Sequence, residues 1–193
     1  MSKFFMSNWA PLINTNNYNP AQRMVRPIKG LVLHLTGGSN VLGTKATFEA
    51  VHAGTIQDPK RSAHFCCPRQ PDSKKQFGTF TQFIDTDVQA WAQGSVSGNE
   101  QWISIENEGT AGKDALTNHQ IEMCAYLFAW LSLNESVPLA ISNSTSDSGL
   151  SHHSLFVATG CPGTLVINQR SAILVRAQEL VNSTVKYALQ WPS

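Results

Sequence analysis

Charge is scarce in this chain. Only 14% of its 193 residues are Asp, Glu, Lys or Arg, and they nearly cancel to a formal net charge of +1. That balance leaves no broad basic field, which argues against nucleic acid or an anionic membrane surface as a partner. No apolar run approaches the roughly 20 residues that a bilayer span requires. The segment Met1–Pro11 has one lysine and a Phe4-Phe5 pair, but no sustained apolar stretch and no small-residue cleavage site. We therefore expect synthesis in the cytoplasm without a signal peptide. Internal repeats and low-complexity linkers are also missing, so a second domain is not expected. Cysteine is sparse, with Cys66, Cys67, Cys124 and Cys161 the full set. Extended backbone sends the vicinal pair to opposite faces, and no secretion signal favours disulfides. The first three read as buried free thiols.

What is present is enough apolar residue, 41% of the chain, to bury a core without staples. Residues 1–28, rich in Asn and Pro, read as an irregular N-terminal extension packed through Trp9, Pro11 and Leu12, with a single domain over 29–193. Gly30–Leu35, closed by Gly37 and Gly38, predicts a buried strand with His34 near its end. A short helix over 44–53 follows, with Phe48, Val51 and His52 on one face. Ser62–Pro68 and Gly78–Asp85 read as a hairpin of two strands. In Ile103–Gly109 strict alternation puts Ile103 and Ile105 on one face and Ser104 and Glu106 on the other. Thr117 and Gln120 fit a capping box that opens a helix through Ile121, Cys124, Ala125, Phe128 and Leu131. Asn143–Gly149 is a polar loop, and a last helix is predicted over 168–189, with Ile173, Leu174, Ala177, Leu180 and Val181 on its stripe. Strands alternating with helices predict an α/β domain, a central mixed sheet flanked by helices on both faces.

The chemistry gathers around Ser151-His152-His153-Ser154 and Thr159-Gly160-Cys161-Pro162-Gly163. Neutral imidazole and thiolate are both good zinc donors, and a zinc site needs three or four such groups. His34 is the candidate third donor, although alone it reads more readily as a core histidine bonded to a carbonyl.

Four stretches, in order, resemble the zinc-dependent N-acetylmuramoyl-L-alanine amidases, a superfamily that includes phage amidase-lysozymes and peptidoglycan recognition proteins. They are Leu31-Val32-Leu33-His34-Leu35-Thr36; Ser62-Ala63-His64-Phe65 with Gly78 and Gln82; Asn99 through Ile103-Ser104-Ile105-Glu106; and His153 through Cys161-Pro162-Gly163. The last resembles the family's ending, in which a histidine precedes Cys-Pro-Gly by eight positions. The resemblance implies that His34, His153 and Cys161 are zinc ligands with water in the fourth position, and that Glu106 is the general base. It leaves His152 a neighbour of the site and Glu108 a solvated strand-end carboxylate. Three departures stand out. Ala63 replaces a common tyrosine, Thr159 stands where many members have lysine and others threonine, and Trp91-Ala92-Gln93-Gly94 replaces Trp-His-Ala-Gly. Thr159 is then a candidate hydrogen-bond donor to the reacting oxygen. Trp91, Asn99 and Trp102 are candidates for lining a groove for substrate, while His64 reads as structural and His52 and His119 as surface or helix-end residues.

The implied activity is a peptidoglycan hydrolase that cleaves the amide between N-acetylmuramic acid and the L-alanine of the stem peptide, using zinc- and glutamate-activated water. The alternatives are a non-catalytic peptidoglycan-binding module and a zinc peptidase on other substrates. Three settings suit an enzyme without an export signal. They are a phage endolysin, an interbacterial toxin effector whose producer keeps an immunity protein, and a cytoplasmic muropeptide-recycling amidase. The first two act on the cell wall, in the periplasm, after delivery by a pore or secretion system.

Overall fold

In the computed structural model, residues 17–52, 60–71 and 80–183 are described. The predicted contacts of Trp9, Pro11 and Leu12, the first part of the third strand and the end of the last helix lie outside them. A five-stranded sheet has the order β3-β2-β4-β1-β5. Its strands are β1 (Gly30–Leu35), β2 (Phe65–Cys67), β3 (Thr81–Gln82), β4 (Trp102–Asn107) and β5 (Gly149–His152). β2, β4, β1 and β5 run parallel, and β3 pairs antiparallel with β2 at one edge. The sheet is therefore mixed, as the alternation of elements predicts.

Alternation along these strands separates two cores. Leu31, Leu33, Ile103, Ile105, Phe65 and Leu150 face α3 (Asn118–Glu135) and α5 (Arg170–Asn182), in a cluster with Phe128, Leu131, Ile173 and Ala177. On the opposite face Cys66 joins Val41 and Phe48 of α1 (Val41–His52), together with Ala63, Phe83 and Ile84. Cys66, Cys67 and Cys124 are buried free thiols.

The helices show why some boundaries are readable. Thr117 accepts from Gln120 N and the Gln120 side chain returns to the Thr117 N–H, so the capping box forms. Met123, Leu127, Ala129 and Trp130 are buried beside the predicted stripe, because α3 lies between the sheet and α5. A bidentate contact from Arg176 of α5 to Glu122 ties the two helices (2.7 and 2.8 Å). α1 starts at Val41, before the predicted Thr44, because Asn40 Oδ1 accepts from Gly43 N. The last helical region is broken into α4 (Thr164–Asn168) and α5, and at the break the Gln169 amide exchanges two hydrogen bonds with the Leu116 backbone.

Two elements were not anticipated. α2 (Val96–Gln101) is a short helix capped by Ser95, and β5 is a strand that begins on the last residue of the predicted loop. β5 exists because β1 offers it a parallel edge, not because Gly-Leu-Ser-His favours a strand. Residues 17–28 carry no named strand or α-helix, yet Met24 and Ile28 are buried in the larger core and Arg26 pairs with both Asp87 and Glu135.

The β1–β5 pairing depends on close backbone approach. A Cβ on Gly30 would lie 1.8 Å from the Gly149 carbonyl oxygen and 2.8 Å from the Trp102 ring. Overpacking of this kind typically costs about 1–3 kcal/mol. Gly30→Ala should therefore lower the unfolding free energy measured by urea denaturation by an amount in that range, and an unchanged value would show that the two strands are looser than described.

Candidate active site

The site lies at the carboxyl ends of the parallel strands. Register pairs His34 with Glu106, Cys66 with Glu106, and Leu33 with His152. Partners in register share a face, and successive residues alternate. Leu33 and His152 therefore share the α3/α5 face, and the next residue in each strand direction, His34 and His153, turns to the other. His152 instead bonds Ser154 Oγ through Nδ1 (2.8 Å). The choice between the adjacent histidines is thus made by strand parity.

Cys161 reaches the same point from the loop before α4. The ligand atoms of His34, His153 and Cys161 all lie within 4.8 Å of one another. The imidazole centroids of His34 and His153 are 4.3 Å apart. Leu35 N donates to Cys161 Sγ (3.3 Å), and Cys161 N donates to Thr159 Oγ1 (3.2 Å). His153 Nδ1 and Glu106 Oε2 are buried with no hydrogen-bond partner. Glu106 Oε1 is 4.0 Å from His34 Nδ1.

Burial sets the protonation of these groups. It lowers His34 well below the usual imidazole range, with the neighbouring His153 adding to the effect and the Gln93 hydrogen bond opposing it. Burial also lowers His153. It raises Glu106 to about 7, against the pull of Arg61. Cys161 is pushed up to about 12 by burial and by the Glu106 charge, with the Leu35 N–H opposing. Neutral imidazoles are ready to donate, whereas the thiol needs a cation to give up its proton. Two imidazoles and a sulfur form a donor set suited to zinc and other borderline or soft ions, not to magnesium or calcium. An unpartnered buried Nδ1 beside that sulfur fits the same conclusion, so the three residues could hold a metal ion.

A groove of about 530 Å³ opens over these groups. Trp91 and Thr159 line it, as do Thr44 and Thr47 of α1, and Lys60 Nζ sits 5.2 Å from the Trp91 ring centroid. Two candidates for groove lining lie elsewhere. Trp102 is 1% exposed and packs edge-on against Phe156. Asn99 instead accepts from Ala92 N (3.1 Å) and Gln93 N (2.8 Å), which secures the loop beneath the groove. Glu108 does more than meet solvent, since its Oε2 accepts from Arg69 N (3.1 Å). His119 is half-buried in the first turn of α3, and the His52 side chain lies outside the described residues. Sequence reasoning passed over Gln93, which is wholly buried with its Oε1 2.9 Å from His34 Nε2. A lone glutamine in a loop carries no periodic signal of burial.

The sequence model of the N-acetylmuramoyl-L-alanine amidases matches residues 24–164. The chain belongs to that family. The matched span holds His34, Glu106, His153 and Cys161 together. A comparison with curated protein sequences found no match. Solved structures with this amidase fold include the N-acetylmuramoyl-L-alanine amidase LysC from Clostridium intestinale, at 16% identity and TM-score 0.57, over 86% of this chain and 97% of that one. An AmpD derivative is similar at 22% identity and TM-score 0.61, over 88% and 96%. A peptidoglycan recognition protein of Drosophila, PGRP-SA, matches at 17% identity and TM-score 0.55, over 78% and 81%. Among the described residues of this amidase, no helix is long and apolar enough to cross a membrane.

His64, the neighbour of the family's common tyrosine position, is held at every polar atom the fold offers it. Its main-chain N–H donates to Ser104 Oγ (3.1 Å), its Nδ1 accepts from Ser104 N (3.0 Å), and its Nε2 donates to the Val88 carbonyl (2.9 Å). Burial lowers its pKa to about 4, opposed by the Val88 hydrogen bond and by Asp85. The unfolded chain therefore binds the proton more readily. The stability that His64 contributes is fully present above pH 6.5 and is lost as pH falls towards 4, by roughly 3 kcal/mol in all. Urea unfolding of the metal-free protein should show this slope, and His64→Gln should flatten it over that window. Equal slopes for the two proteins would contradict the assignment.

Proposed function

We propose that this chain is a zinc-dependent N-acetylmuramoyl-L-alanine amidase that hydrolyses the amide between the lactyl group of N-acetylmuramic acid and the L-alanine of the stem peptide. The observation that carries the reading is the convergence of His34, His153 and Cys161 beside a buried, unpartnered Glu106 carboxyl oxygen under an open groove. Zinc held by these three residues would supply Lewis acidity to the scissile carbonyl and to the attacking water.

The protein's own groups do the rest. Glu106 Oε2 has no competing partner, so it is free to take the proton of the attacking water and return it to the departing alanine amine. Thr159 Oγ1 accepts from the Cys161 N–H, which leaves its own proton to donate to the reacting oxygen. The wall formed by Trp91 and Lys60 offers an aromatic face and a cation to a glycan–peptide. Glu106 and Thr159 are the proposed catalytic residues, and Trp91 is the substrate-binding candidate that the groove supports.

Within this reading the enzyme degrades cell wall after delivery, as an endolysin or an interbacterial effector toxin, the latter requiring an immunity protein in its producer. Cys161 favours these over a recycling amidase, in which aspartate is the usual third ligand. A pore-former gene beside its own would mark a lysin, and a gene for a small secreted inhibitor would mark a toxin.

Digestion of purified peptidoglycan tests the activity. New N-terminal alanine should appear, disappear with chelator and return with zinc. Glu106→Gln should bind zinc yet lose about 10²–10⁴-fold in rate, the usual worth of a general acid–base. Cys161→Ser should lose zinc and activity together, whereas a pure binding module would hold peptidoglycan equally well after that change. Absence of alanine release at every metal loading would overturn the reading.

A further inference from the structure

Gln93 is fully buried, and a buried primary amide is stable only when its donors and acceptor are used. Its Nε2 donates to the Trp102 carbonyl (3.3 Å), and its Oε1 lies 2.9 Å from His34 Nε2. These two contacts fix one another. A carbonyl can only accept, so the atom facing Trp102 is the amide nitrogen. The atom facing His34 is then the amide oxygen, which also only accepts. His34 Nε2 must therefore carry the hydrogen, and the lone pair is left on Nδ1, the nitrogen 4.0 Å from Glu106 Oε1.

The glutamine is itself held. Its main-chain N–H, and that of Ala92, donate to Asn99 Oδ1. Asn99 lies on α2, whose last residue leads directly into β4, the strand that carries Glu106. A continuous set of hydrogen bonds thus runs from the start of β4 through the loop to the imidazole on β1.

We propose that Gln93 is a positioning residue for the metal, selecting the Nε2–H tautomer of His34 and aiming its Nδ1 at the ion, with Asn99 holding Gln93 in place. The inference rests on the zinc reading above for the identity of the ion, but the tautomer follows from the hydrogen bonds alone. Partners of this kind on a ligating histidine are worth about 10–100-fold in metal affinity. Gln93 stands in the Trp91-Ala92-Gln93-Gly94 stretch that departs from the family's usual Trp-His-Ala-Gly, so the arrangement belongs to this chain's own sequence.

Two readouts test it. In the zinc-free protein, long-range proton–nitrogen NMR correlations of the histidine rings should report His34 as the Nε2–H tautomer. Gln93→Leu should give a mixture of tautomers and weaken zinc, measured by competition with a chromogenic chelator, by about 10–100-fold. Gln93→Glu keeps an acceptor for His34 Nε2–H and should keep the wild-type tautomer. An Nδ1–H tautomer in the wild type would overturn the proposal without recourse to any variant. So would a folded Gln93→Leu protein with wild-type tautomer and wild-type zinc affinity. If the wild type took up no zinc, the metal reading would fall, and the NMR result would still decide the role of Gln93.

Discussion

The candidate site depends on one constraint, the parallel register of β1 with β4 and β5. Parallel partners in register point their side chains the same way, so pairing His34 with Glu106 commits both to one face. Pairing Leu33 with His152 commits the following residue, His153, to that face as well. A one-residue slip of β5 would present His152 instead and turn Leu150 out of the core. The register is thus enforced by burial of Leu31, Leu33, Ile103, Ile105 and Leu150 on the other side. Packing energy on the α3/α5 face holds the geometry of the polar face. Because the strands are parallel, their carboxyl ends meet at one edge, and the loops that follow them bring Cys161 and Thr159 to the same place.

Burial then gives these groups their chemistry. The desolvation that keeps His34 and His153 neutral also raises Glu106 and Cys161. Left alone, such a cluster is proton-rich and electrically quiet. A divalent cation changes the balance for the sulfur, since thiolate coordination becomes favourable where bare thiolate is not. Metal uptake is therefore coupled to loss of the Cys161 proton. The Leu35 N–H that already points at Sγ lowers the cost of that ionisation.

How much of this is legible in the sequence depends on the strength of the local signal. β1 is a continuous apolar run and β4 alternates clearly, and they deliver His34 and Glu106 near their ends. The capping box of α3 is equally plain. β5 is four residues, half of them polar, and its existence is decided by a neighbouring strand edge that no local window contains. α2 escapes for a related reason, since Val96–Gln101 has a central glycine and no apolar stripe. Without α2, Asn99 reads as a groove residue although its amide faces the loop. Trp102 reads the same way, and it is buried because the β4 alternation that exposes Glu106 at the strand's end places Trp102 at its buried start. Distance from the carboxyl edge separates these two residues on the same face.

The departures from the family's usual residues are linked through the hydrogen-bond scaffold. Beside the Ala63 position, the hydroxyl and main-chain N–H of Ser104 engage His64 at both its main-chain N–H and its Nδ1. That contact braces β2, a strand of only three residues, against β4 just below Glu106. Gln93 braces the other flank, between Trp102 at the start of β4 and His34 on β1. Glu106 and His34 are thereby fixed from both sides by polar groups that are themselves fully satisfied. A buried polar network is stabilising only in that condition. The atoms left unpartnered within it, Glu106 Oε2 and His153 Nδ1, are the ones that face the groove. Two groups with unused bonding capacity thus lie where an ion and a substrate would enter, as a preorganised hydrolytic site requires.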